Sequence, residues 1–556
     1  LRLNTIGTNN SVFGIYALAN NTIGNNNVAV GYASMLNNTT GSNNTAVGLN
    51  SLRENIIGTN NSAFGYLALR YNTTNNNSAF GYKALYSNTT GRGNTAIGVN
   101  SILTNTVGVF NAAVGHRSMQ LGSGGSTNAA FGAYTLYNNT GSDNIGIGHN
   151  ALFTNTIGSN NVAIGRDALL YNTTGGKNVA VGKLSMAANT IGDRNSAFGY
   201  GALYSNTTTA VGYLSEYSNT TGVNNTAVGY QSAYTNVVGG QNTAIGFQAL
   251  YYNTTNNNTA VGFKSLFGNS IGTSNAAFGM YAMLNNSTGS NNSAFGLSAL
   301  QNNTIGSSNS AFGKDALKIN TTGSNNSAFG FYAIFSNTIG SANIGFGYKS
   351  LYSNTTGNNN VGVGLQTLQA NTIGINNTAV GHQALFNNTT DRNSAFGYRA
   401  LYANTTGYRN VALGELAATA NTSGIYNVAV GVASLYQNKT GNRNSTFGTY
   451  SMFLNINGNY NSAFGFYALG RNTAGSSNSA FGYQALYSNT TNNNSAFGYK
   501  TLYSNTTGSN NTAVGFAALA NNTIGANNSG FGYRSLITNT TGVNNTASIK
   551  RKYHWQ

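Results

Sequence analysis

The chain has 556 residues, a net charge of +17 from 25 basic and 8 acidic residues, no Pro and no Cys. Charged residues make up 6 %, against roughly 25 % in an ordinary domain, so thiol chemistry is excluded and few groups remain for acid–base catalysis. An apolar content of 40 % and an aromatic content of 11 % rule out a disordered polar tract, because that much apolar surface suffices for a core.

The chain opens inside a repeat at Leu1, with neither Met nor a signal-peptide pattern. It reads as a processed product or a segment of something longer. From Gly14 to Gly532 one Gly recurs 32 times, 17 residues apart in most cases, 16 in five and 13 once. The 16-residue steps mostly drop the Gly of a "TTG" segment, and length variation there marks a turn at the surface. The consensus is N-N-[STV]-A-[FVI]-G-Y-x-[AS]-L-Y-x-N-T-[TI]-G-x, with the recurring Gly at position six.

Helical repeats use longer units of roughly 33–47 residues, and Asn, Thr, Gly, Tyr and Phe are poor helix formers. The pattern therefore predicts an all-β fold: a parallel β-solenoid, or β-roll, of about 32 coils. Each coil is expected to hold two short strands, near "NSAFGY" and "ALYSN".

Position three is Ser in 13 repeats, and position five is then always Phe; it is Thr or Val in 14 repeats, and position five is then Val, Ile or Leu. Side chains that share one packed space trade volume in this way, and residues i and i+2 share a face in a strand. Positions three and five are therefore expected to face the core, with position ten joining them. This gives a predicted interior ladder of Val47, Phe64 and Phe80 with Leu52, Leu69 and Leu85.

Positions four and nine, held to small residues, are expected outside. Either another subunit packs on them, which is the favoured reading, or the coil folds back tightly on itself. Asn at positions two (Asn44, Asn61, Asn77) and thirteen (Asn72, Asn88) is expected to stack into amide ladders. Gly48, Gly65 and Gly81 are expected to need positive φ or close backbone approach, and Thr at position fourteen to form a further ladder. Tyr82, Tyr86, Tyr200, Tyr204, Tyr483 and Tyr487, at positions seven and eleven, offer a surface aromatic ladder that fits sugar rings or neighbouring coils and subunits.

The coil near 199–216 is irregular, and Glu216 replaces a core Leu there; its side chain is expected to swing into solvent. Residues 1–547 read as one solenoid domain, and 548–556 as a cap or a junction to another module.

At "NSAFGYQAL" and "NTAVGYQSA" the repeat resembles the head repeat of trimeric autotransporter adhesins and related phage and viral tail-fibre repeats. The resemblance spans Asn10 to about Ala547 and rests on positions two to six. It implies a left-handed parallel β-roll, three chains joined in a rod, and display on a cell or virion surface with a host-surface or matrix ligand. The repeat is longer than the family's, with the extra residues expected in the "NTTG" turn.

Catalysis is not expected. Asp167 and Asp315 share position eight but lie about nine coils, or roughly 40 Å, apart, so no carboxylate pair forms. His116 and His149 sit two coils apart, roughly 10 Å, too far to share a metal without a third group. No cofactor, metal, nucleic acid or membrane span is expected, since the positive charge is scattered and no apolar run nears the roughly 18 residues of a span. The expected function is a non-enzymatic extracellular structural or adhesive fibre. A self-assembling filament without a receptor is the alternative, and an ice- or glycan-binding solenoid a third.

Overall fold

The computed structural model describes residues 2–204 and 208–549. It shows a parallel β-solenoid, with no helix among the described residues. Thirty-three strands of three residues, from β1 (Ser11–Phe13) to β33 (Thr546–Ser548), recur at the period of the repeat. Two compact units divide them: Leu1–Ser274 holds β1–β16 and Asn275–Gln556 holds β17–β33. Within each unit successive strands pair in parallel and in register, as where Ser62, Ala63 and Phe64 lie beside Ser78, Ala79 and Phe80. At the C-terminal side Thr546–Ser548 still pairs with Ser529–Phe531, so the ladder runs through the start of the predicted cap; residues 550–556 lie outside the described residues.

The two faces of the strand are the reverse of those expected. Ala63 is fully buried, while Ser62 and Phe64 on either side of it are half-buried and face outward. Phe80 is 39 % exposed, and Val47 lies on the same outer face. Leu52, Leu69 and Leu85 do fill the interior, all at 0 % exposure, and Ala68 and Ala84 at position nine join them. The reason is width. Inside a coil this tight, the strand's backbone lies close to the opposite wall, and Leu from that wall leaves room for little beyond Ala or Gly; Thr446 is buried there with its hydroxyl bonded to that of Ser434. A Cβ on Gly345 would meet Ile334 at 2.6 Å. The small residues thus mark a coil folded back on itself, not a subunit contact. The volume trade between positions three and five is real, but it takes place on the outer surface.

Among the described residues the second predicted strand is absent. Residues 66–71 form consecutive turns, with Leu67 and Leu69 left-handed at φ 59° and 50°. Bulky residues rarely adopt this conformation; here inter-coil bonds and the buried side chain hold it. The Leu69 N–H donates to the Ala84 carbonyl of the next coil at 3.0 Å, and the Leu67 N–H to the Leu49 carbonyl of the preceding coil at 3.0 Å. The two amides bond in opposite directions along the stack, with the Ala68 N–H between them turned to the Gly65 carbonyl of its own coil at 3.4 Å, so the turns bond between coils without making a regular ladder. Gly65, at φ 131°, needs both its conformation and its missing side chain, since a Cβ would lie 2.5 Å from the Gly81 carbonyl oxygen.

Buried asparagines close each coil. Asn44 Nδ2 donates to the Gly58 carbonyl at 2.8 Å, and the Asn61 N–H donates to Asn44 Oδ1 at 2.9 Å. At position thirteen, Asn88 Nδ2 donates to Asn72 Oδ1 at 2.7 Å and to the Gly91 carbonyl at 2.7 Å. Asn77 likewise reaches the Gly91 carbonyl, at 3.0 Å. The expected Thr ladder is present outside, with Thr304 Oγ1 donating to the Thr321 carbonyl and Thr321 Oγ1 to the Thr338 carbonyl, each at 3.0 Å.

Two substitutions test this arrangement in the second unit. Asn320 donates to Asn303 and to Gly323, and accepts from Asn337. Asn320→Ala leaves Asn303 Oδ1 without its donor, while the Gly323 carbonyl keeps Asn309 and Asn337 keeps the Gly340 carbonyl, and is expected to cost roughly 2 kcal/mol in denaturant unfolding. Ala328→Leu overpacks the interior and should lower the midpoint more than Phe329→Thr on the outer face; the opposite order would restore the original assignment of the two faces.

Candidate functional site

The strands hold Ser, Thr, Ala, Gly and aliphatic or Phe residues only, so no strand carries a charged side chain. Positions three and five of each coil therefore form a neutral, half-exposed strip. In the second unit Phe278, Phe295, Phe312, Phe329 and Phe346 stack in sequence with ring centroids 4.4–4.7 Å apart. A second row is formed at position seven: in the first unit Tyr200, Tyr213, Tyr230 and Phe247 stack at 5.1–5.3 Å, and in the second Tyr483 lies 5.2 Å from Tyr499. Tyr82 stacks on Tyr66 at 5.4 Å.

A third row at position eleven turns the corner. It contains Tyr204 with Tyr217 at 5.1 Å and Tyr487 with Tyr503 at 5.3 Å, while Tyr86 meets Tyr71 edge-on at 5.1 Å. The aromatic residues predicted at the surface thus form two parallel stacks, and the Phe residues predicted in the core form a third. Cations sit at the corner, not on the strip: Lys83 lies 5.3 Å from the Tyr82 ring centroid and 5.6 Å from that of Tyr86, and Lys500 is placed likewise between Tyr499 and Tyr503.

The polar residues weighed from the sequence do not converge. Asp167 accepts from Asn150 and pairs with Arg166, while Asp315 pairs with Lys318. His116 and His149 flank the Tyr134 ring at 5.5 and 6.0 Å. Among the described residues no three His, Cys, Asp or Glu side chains gather to hold a metal.

Glu216 is the exception, and its expected position is corrected. Its side chain is not in solvent but fully buried, in the place a core Leu takes in other coils. The coil before it is shortened, and Thr208 stands where Asn fills position two elsewhere. The carboxyl takes over part of the missing amide's role: Thr208 Oγ1 donates to it, and Asn219 Nδ2 and Asn236 Nδ2 donate at 3.4 and 3.3 Å. Burial pushes the Glu216 pKa up to about 7 despite these donors. Asn195, one coil earlier, loses its partner and has an unpaired buried Oδ1. Thr208 also lines a cleft of about 460 Å³ together with Asp193, Arg194 and Asn225. The sequence signal was the coincidence of the one non-Asn at position two with a charged residue at position ten.

The folded state binds the Glu216 proton more tightly than the unfolded chain, where the group titrates near 4.5. The stability this contributes is complete below about pH 4.5 and is lost as pH rises through about 7. Between pH 5 and 8.5 the first unit should lose roughly 3 kcal/mol, seen as faster hydrogen exchange around 208–236. Glu216→Gln should flatten that pH dependence; an unchanged profile would place the titration elsewhere.

Compared with known proteins, the chain matches no family model and no curated relative.

Proposed function

We propose that the chain is a non-enzymatic structural and adhesive fibre segment, displayed outside a cell or virion, whose neutral strip seats against the same strip of other copies, three chains together. The observation that carries this is the partition of charge: the strands have none, while the net charge of +17 is confined to the turns and termini. A solvated face of this size ordinarily carries Lys or Glu to keep monomers apart.

The size of the strip supports the same reading. Sixteen rungs in the first unit, each about 4.8 Å high and about 10 Å wide, give a strip of roughly 750 Å². Ser and Thr at position three keep the strip from being wholly apolar, but its area approaches the roughly 800 Å² that a standard interface takes from each partner. A surface that repeats at one strand spacing is matched in period by a second copy of itself. The resemblance of the repeat to adhesin heads and tail fibres points to the same assembly and to display at a surface, where many weak identical contacts add up through avidity.

Sedimentation equilibrium of the purified chain should give a single species of three chains. Phe295→Lys with Phe312→Lys and Phe329→Lys, all on the outer face, should yield folded monomers. Monomers from the unsubstituted chain would refute the proposal, and growth without limit would favour the receptor-free filament.

A further inference from the structure

One edge of the second unit differs from the rest of the solenoid. At the turn just before the strip, position one is usually a short polar residue. In five successive coils it is Arg392, Arg409, Tyr426, Arg443 and Tyr460, all left-handed at φ 55–60°. The backbone keeps them in register: the Tyr426 N–H donates to the Tyr408 carbonyl, the Arg443 N–H to that of Ile425 and the Tyr460 N–H to that of Asn442.

The side chains interleave. The Arg409 guanidinium lies 5.2 Å from the Tyr426 ring centroid and 5.9 Å from that of Tyr408; Arg443 lies 5.8 Å from Tyr426 and 5.3 Å from Tyr460. Arg409 Nη1 donates to the Tyr426 hydroxyl, and Arg443 Nη1 to the Tyr460 hydroxyl at 2.5 Å. The guanidinium groups are thus held in place before any ligand arrives. None of the three arginines forms an ion pair among the described residues. Arg409, Arg443, Tyr426 and Tyr460 are exposed.

A groove begins at the same place. The coil of "NTTDRN" drops its turn Gly, and the dent left between the fuller turns on either side has a volume of about 590 Å³, walled by Ile373, Ile375, Asp391, Arg392, Tyr408 and Arg409. Asp391 is the one acid in it, and its Oδ1 is engaged by the Ile375 N–H at 2.8 Å.

We infer that this groove and the Arg–Tyr ladder leading from it bind a linear acidic polysaccharide. Each guanidinium keeps further N–H donors suited to carboxylate or sulfate oxygens, and the Tyr hydroxyls, which accept from arginine, keep their own O–H to donate to sugar or acid oxygens. Arg409 and Arg443 stand two rungs apart, about 10 Å, a separation of the order of a disaccharide, so acid groups on alternate sugars meet successive arginines. A single-stranded nucleic acid fits less well, because stacking bases need open ring faces and the Tyr426 ring already has two guanidinium groups against it. This assignment rests on the adhesive reading above for its setting and supplies that reading with a ligand class.

The test is affinity electrophoresis of the full chain in gels carrying polygalacturonate, dextran or oligo(dT). Polygalacturonate should retard the chain and dextran should not. Arg409→Gln with Arg443→Gln should weaken the retardation by roughly tenfold, while Arg92→Gln with Lys500→Gln, an equal loss of charge elsewhere, should leave it unchanged. Equal weakening by both pairs would mean diffuse attraction to a basic chain and would overturn the site. So would no retardation, or oligo(dT) binding as tightly and with the same dependence on Arg409 and Arg443. Thermal melts of the variants confirm that the solenoid is retained. Sedimentation of the same samples separates the two proposals: a chain that assembles but ignores the polyanion sinks the site alone, and one that binds it as a monomer sinks the assembly alone.

Discussion

Each coil depends on two buried amides. A coil of this length has too little apolar interior to hide its own backbone, and the carbonyl of the turn Gly points inward. Asn at positions two and thirteen supplies that carbonyl with donors, as Asn77 and Asn88 do for Gly91, and passes its own carbonyl oxygen to the next coil. A buried acceptor left without a partner costs about as much as several apolar contacts return. Satisfying it alike from coil to coil fixes the vertical register; in 16-residue coils a Thr carbonyl takes the place of the Gly, as Thr74 does in accepting from Asn61 and Asn72.

The same constraint turns the large side chains outward. With two amides and one Leu inside, the strand has room for little more than Ala on its inner face, with Gly in a few coils and Thr446 in one. Phe, Val, Tyr and Ile are left on the outer face and stack along the axis, giving a solenoid whose outside is more aromatic than its inside. Such a surface gains by being covered, which is why assembly, not chemistry, follows most directly from this fold. The corner beside it stays wet through lysines laid across Tyr rings, where cation–π contact and hydration coexist.

Glu216 shows what happens when the pattern is broken. Shortening one coil removes an Asn donor site and brings a carboxyl into the interior, held by Thr208, Asn219 and Asn236. The arrangement is satisfied best when the group is neutral. A stack whose stability is a sum of neighbour contacts therefore contains a coil whose stability responds to pH through a buried carboxyl.

The sequence by itself determined the repeat, its period, the parallel stack, the Asn ladders, the Leu interior and the turn glycines, because each is a local demand repeated many times and visible as an invariant column. It also revealed that positions three and five share one surface. Which surface that was, only the tertiary structure decided. Ser62 and Phe64 lie on one side of the strand and Ala63 on the other, and alternation alone is symmetric between inside and outside. The symmetry is broken by the distance to the opposite wall, set by how tightly residues 66–71 turn back. That turn relies on left-handed Leu67 and Leu69, a conformation that carries no signal in Leu. For the same reason the Arg–Tyr edge was invisible in the chain: its residues lie about 17 apart, and only the stacking of coils brings them into one line.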